Sequence, residues 1–99
     1  VTLDIDGTPA GGMHPAHIHA GAVADAPGSI LITLATVDGT SGMSQTNVSA
    51  YNAEDGTANG GDAITYAEMI AIDGYINVHL SADDLGTIVA QGNVGSNVE

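Results

Sequence analysis

The sequence predicts a small all-β domain with one short helix. Three observations carry this. Short segments alternate apolar and polar residues, 14 glycines punctuate them, and the apolar 43% of the 99 residues is almost wholly aliphatic. Alternation at a period of two suits half-buried strands, and frequent glycine suits the turns between them. Residues 2–6 alternate Leu3 and Ile5 with polar neighbours and end in the Asp6-Gly7 turn. Residues 16–20 place Ala16, Ile18 and Ala20 on one face, with His17 and His19 on the other. Residues 29–37 (SILITLATV) form the clearest strand, stopped by Asp38-Gly39-Thr40. Residues 42–51 fit a strand or a loop equally well. Residues 52–62 (NAEDGTANGGD) carry almost no apolar side chain and read as a long exposed loop. Thr65-Tyr66-Ala67-Glu68 matches a capping box, with Thr65 as N-cap of a helix through Met69 and Ile70. Residues 75–81 form a strand with Ile76, Val78 and Leu80 on one face and Tyr75, Asn77, His79 and Ser81 on the other. A polar turn over 81–84 leads to a last strand over 87–91.

The length suits a single domain over residues 1–99, with a modest core. The three Asp-Gly-Thr triplets, at 6–8, 38–40 and 55–57, have unrelated surroundings and are turn chemistry rather than a repeat. The only aromatics are Tyr51, Tyr66 and Tyr75.

There is no lysine or arginine, against 12 acidic residues. Such a surface repels phosphate backbones and anionic lipid headgroups, so nucleic acid and membrane surfaces are poor partners. It attracts cations. It also offers no site to trypsin-like proteases, which suits an extracellular location. The plainer reading of the charge is solubility. With no cysteine there is no disulfide framework, thiolate ligand or cysteine nucleophile. No apolar run is long enough to span a bilayer. The strand-like opening over residues 1–6, without a signal peptide, reads as a mature or trimmed start.

All four histidines fall in two short segments, three in Met13-His14-Pro15-Ala16-His17-Ile18-His19 and one at His79. In a strand, residues two apart project side by side, so His17 and His19 form a ready pair of imidazoles. Pro15 keeps the backbone extended beside His14. If the strands carrying His17, His19 and His79 are neighbours, three or four rings converge. Histidine alone is more often a hydrogen-bonded structural residue; the confinement of all four to two segments is what points to a metal. A site of three or four imidazole nitrogens without sulfur suits copper(II), with zinc as the alternative, and copper stands higher in the Irving–Williams order. The expected mononuclear ligand set is His14, His17, His19 and His79. Met13 is read as an apolar core or rim residue.

HPAHIHAG (14–21) and DGYINVHLSADDLGTIVAQG (73–92) together resemble the chordin-type domain family, CHRD. The order of a His-rich strand, an aliphatic strand, a variable loop, a "VNVH"-like strand and a final strand ending in Gln-Gly also fits, over most of the chain. The resemblance implies a secreted or surface-attached domain with an Ig-like or superoxide-dismutase-like β-sandwich or barrel. It implies that His17, His19 and His79 are the family-type histidines, with His14 in the same motif. Family members begin with additional strands, and only residues 1–13 precede the histidines here. A missing N-terminal strand would leave an open sheet edge, inviting strand addition from a second copy and head-to-tail assembly into a fibre.

Two functions of different class follow. One is an extracellular copper-binding domain. The other is a structural subunit of an extracellular fibre or surface assembly, with metal or strand addition stabilising the contacts. An enzymatic role is not expected. Superoxide dismutase uses a similar His-x-His strand, but this chain has no cation to steer superoxide, and a net charge of −12 would repel it. No Gly-x-Ser-x-Gly elbow is present for a serine hydrolase. Calcium is a second binding reading for Asp4, Asp6, Asp38, Asp55, Asp62, Asp83 and Asp84, although no EF-hand spacing occurs and solvated turns explain most of them. Asn47-Val48-Ser49 fits the N-glycosylation acceptor pattern.

Overall fold

A computed structural model describes residues 1–8, 10–26 and 28–98, the side chain of Asp25 excepted. It is an all-β architecture of two sheets. The strands are β1 (Thr2–Asp4), β2 (Met13–Ala20), β3 (Ile30–Asp38), β4 (Met43–Gln45), β5 (Asp73–Ser81) and β6 (Asp84–Gly95), with one short helix, α1 (Tyr66–Ile70). A 3-10 turn lies at Val23–Asp25. The main sheet runs in the order β3-β2-β5-β6, antiparallel throughout, and β1 pairs with β4 in a second, two-stranded sheet. The two central strands of the main sheet are therefore those that carry the histidines.

The core lies on one face of the main sheet. Ala16 and Ile18 of β2, Ile32, Leu34 and Val37 of β3, and Val78 of β5 bury their side chains there, with Ile64 and Ile72. Leu3, Ile5, Val48, Tyr51 and Met69 pack on this cluster from the opposite layer. A register shift between β2 and β3, at His14/Ala16, lets Val37 return to the core side after Leu34. Such an irregularity bends and twists a strand locally. The helix forms where the capping box predicts: Thr65 accepts from the Glu68 N–H, and Glu68 accepts from the Thr65 N–H.

Residues 42–51 resolve into the short strand β4 and a bridge at Ala50↔Ala63 that closes the base of the exposed loop. The last strand differs from the expected 87–91. It spans Asp84–Gly95, and a two-residue turn, Ala82-Asp83, joins it to β5. Pairing with β5 carries β6 through Gly92, opposite Ile76, to Gly95, opposite Asp73. Gly95 is required: at φ +60° its position leaves no room for a Cβ against the Ile72 carbonyl oxygen. The outer edge of β6 pairs with no other strand among the described residues. Among the described residues, no helix is long and apolar enough to cross a membrane.

Candidate metal centre

The site sits on the face of the main sheet opposite the core. Antiparallel pairing sets His17 across from Asn77 and His19 across from Tyr75. Directly opposed residues share a face, so β2 and β5 together present His17, His19, Tyr75, Asn77 and His79. A register shift at Val78/His79 in the β5–β6 pairing sets His79 across from Ile88. Among the described residues, His17, His19 and His79 are the group of side chains able to hold a metal ion, with one ring nitrogen of each within 4.8 Å of the others. His17 Nδ1 lies 3.0 Å from His79 Nε2. The His17 ring meets those of His19 and His79 edge-on, with centroids 5.9 and 5.0 Å apart.

Backbone carbonyls fix the tautomers. His19 Nδ1–H donates to the Gly28 carbonyl at 2.9 Å, and His79 Nδ1–H donates to the Leu85 carbonyl at 2.7 Å. Each ring then carries its lone pair on Nε2. This is how metal-ligating histidines are commonly oriented, with the second nitrogen tied to a carbonyl or carboxylate. The His79 lone pair accepts from His17, whereas His19 Nε2 is buried and has no hydrogen-bond partner. The Nε2 of His14, on the core side, is likewise buried without a partner, so it is the convergence with His17 and His79 that marks His19 as a ligand.

Tyr75 supports the arrangement. Its ring stacks on that of His19 at a centroid distance of 5.2 Å and an interplanar angle of 13°. Its hydroxyl accepts from the Gly28 N–H at 2.8 Å. Gly28 thus ties Tyr75 to His19 through its two main-chain groups. A Cβ at residue 28 would overlap the Ala20 carbonyl oxygen, so only glycine fits.

His14 is not part of this group. Its position has the parity of Ala16 and Ile18, and it is buried on the core side at 1% exposure. The inclusion of His14 as a fourth ligand is therefore not matched by its placement. Pro15 has no N–H to give to β5, and pairing of β2 with β5 ends at Ala16↔Val78. The His14 Nδ1–H serves the carbonyls beyond that point, 2.8 Å from Leu80 and 3.2 Å from His79. Sequence reasoning also missed Gly28, Leu85 and the stacking role of Tyr75. The parity of Tyr75 with His79 was the available signal for the last. Nothing in residue type marks a carbonyl.

Three of the acidic residues weighed for calcium shape turns. Asp55 accepts from the Thr57 N–H and hydroxyl, which hold its carboxyl below the usual range. Asp84 accepts from the Thr87 N–H and hydroxyl, and Asp38 from the Thr40 N–H.

Burial, then the neighbouring His79 and His19, push the His17 ring down to a pKa of about 4 from 6.5. The folded chain keeps this ring neutral where the unfolded chain protonates it. Stability of the metal-free protein should therefore be fully present above about pH 6.5 and fall as the pH drops toward 4. The loss should be about 1–2 kcal/mol, allowing for the ring's partial exposure. Urea midpoints at pH 7 and 4.5 measure it, and the difference should shrink in His17→Asn.

Comparison with protein-family models, curated proteins and solved structures gives no match for this chain.

Proposed function

We propose that this chain is an extracellular copper-binding domain related to the CHRD family, holding one copper ion between His17, His19 and His79. The observation that carries the reading is the convergence of three imidazoles on adjacent central strands, two of them aimed by carbonyls and one with a buried unpaired nitrogen. An all-nitrogen donor set suits copper(II). Copper(II) also stands above zinc in the Irving–Williams order, so an imidazole site takes it wherever both are available. The absence of cationic side chains concentrates metal cations at the surface. Copper storage, sequestration or cross-linking all follow from such a site.

Elemental analysis of the protein offered copper, beside His17→Ala/His19→Ala, tests the proposal. About one copper per chain, lost in the variant, is the expected result. No copper in either protein would reduce the histidines to structural polar residues. The open edge of β6 and an apolar groove beside it, lined by Leu3, Ile5, Ile76, Val78, Ala90 and Val94, favour a second reading as a fibre subunit. Sizing the same samples with and without chelator separates the two. Unchanged monomer mass fits a copper-binding domain; an assembly fits the subunit, held by metal if chelator dissolves it and by strand addition if it does not.

A further inference from the structure

We infer that the outer edge of β6 is a docking surface for a second copy of this chain, the two β6 strands pairing antiparallel about a two-fold axis. The contact needs no metal and stands apart from the copper reading.

The two edges of the main sheet differ. On β3 the chain itself takes the outward main-chain groups. The Leu31 carbonyl accepts from the Asn52 N–H, and the Ala35 carbonyl accepts from the Ser44 hydroxyl. The Thr33 and Ala35 N–H groups donate to the Asn52 carboxamide and the Thr46 hydroxyl. The edge of β6 has no such cover. The Asp73 carbonyl accepts from Gly21, next after β2, and the Ile72 carbonyl accepts from Ser96, next after β6. Main-chain groups alternate sides along a strand, so odd-numbered residues of β5 turn to β2 and even-numbered ones to β6. Ala90, Gly92 and Val94, across from Val78, Ile76 and Gly74, therefore direct their main-chain groups to β5. Gln91 and Asn93 direct theirs outward, where no other strand among the described residues meets them.

Charge selects the occupant and its direction. Residues 85–95 carry no charged side chain, in a chain with 12 acidic residues and no lysine or arginine. A second copy offers the same uncharged strand, and antiparallel pairing is self-complementary. Asp84 opens β6, so the two copies of Asp84 lie at opposite ends of the paired strands. At full overlap they are about 35 Å apart, several screening lengths in physiological salt. Parallel pairing would set them side by side. On the core side, Ala90 and Val94 line an apolar groove with Leu3, Ile5 and Ile76, so apolar surface continues from the edge into each copy. With the edge of β3 capped, the pairing closes at two and leaves both histidine clusters on one face of the joined sheet. The net charge of −12 on each copy opposes the contact until salt screens it.

The test is sedimentation of the protein over a concentration series, at low salt and in about 1 M sodium chloride, with and without chelator. The protein should be monomeric at low salt. At high salt it should reach a monomer–dimer equilibrium that chelator does not change, with nothing larger. Amide hydrogen exchange at Gln91 and Asn93 should slow as the dimer forms. Gln91→Pro removes one outward N–H from each copy and leaves the bonds to β5 in place, so it should raise the dimer dissociation constant about 10- to 30-fold. Val89→Glu keeps the main chain and adds a charge to the exposed edge, so it should weaken the dimer as well and decides the matter if Gln91→Pro does not fold. A protein that stays monomeric at high salt would overturn the inference, as would a dimer that chelator dissolves or that neither variant weakens. Species growing beyond two would overturn the two-fold closure in favour of a fibre.

Discussion

Replacing His14 with alanine is expected to leave copper content at about one ion per chain while lowering the unfolding free energy by about 2–4 kcal/mol. His14 is buried on the core side, and its Nδ1–H lies 2.8 Å from the Leu80 carbonyl and 3.2 Å from the His79 carbonyl. Removing the ring opens a cavity and strands those carbonyls, a combination that usually places a substitution in the costly tail of the distribution. His79→Ala should behave in the opposite sense. Its ring lies beside that of His17 and is aimed by the Leu85 carbonyl, so its loss should abolish stoichiometric copper binding. Chemical denaturation paired with elemental analysis of the two variants reads both quantities. Copper lost from His14→Ala, with the fold intact, would place His14 back among the ligands.

Gly28→Ala should damage both fold and site, lowering stability by about 2–4 kcal/mol and copper affinity by about 10- to 100-fold. The added methyl group has no space against the Ala20 carbonyl oxygen, so the backbone must move. That movement displaces the carbonyl that orients His19 and the N–H that meets Tyr75. Tyr75→Phe is the milder comparison. It removes the acceptor of the Gly28 N–H and keeps the ring stacked on His19, so it should cost about 1 kcal/mol and leave copper bound. Thermal melts and competitive copper titrations of the two variants separate the steric from the hydrogen-bonding contribution. Equal copper affinity in Gly28→Ala and the unsubstituted protein would show that the His19 anchor is dispensable.

The parts of the site that depend on local periodicity were legible. His17 and His19 are two residues apart in a strand, and a period of two alone sets them side by side. Polar parity likewise marked Tyr75, Asn77 and His79 as one face of their strand. What joined the two sets is the pairing of β2 with β5 across some sixty residues of chain, and residue patterns do not encode which strand neighbours which. His14 is the instructive failure. Its closeness in sequence to His17 suggested a shared site, but its odd spacing of three from His17 already placed it with Ala16 and Ile18. The length of the edge strand β6 beyond the expected 87–91 lies mostly in exposed positions, which leave little alternation of apolar and polar residues to read.

That edge has a further consequence. An unpaired strand of 12 residues bearing exposed Leu85, Ile88 and Val89 is a template for another chain. Proteins commonly guard such edges with lysine, which this chain lacks. The guard here is the mutual repulsion of whole molecules, each carrying twelve negative charges. Protection of that kind is collective and conditional. Carboxylate protonation near the isoelectric point of about 4.1 withdraws it, and added salt shortens its reach to a few ångströms. The colloidal behaviour of the protein is thus set by its solvent far more than by any contact within its fold.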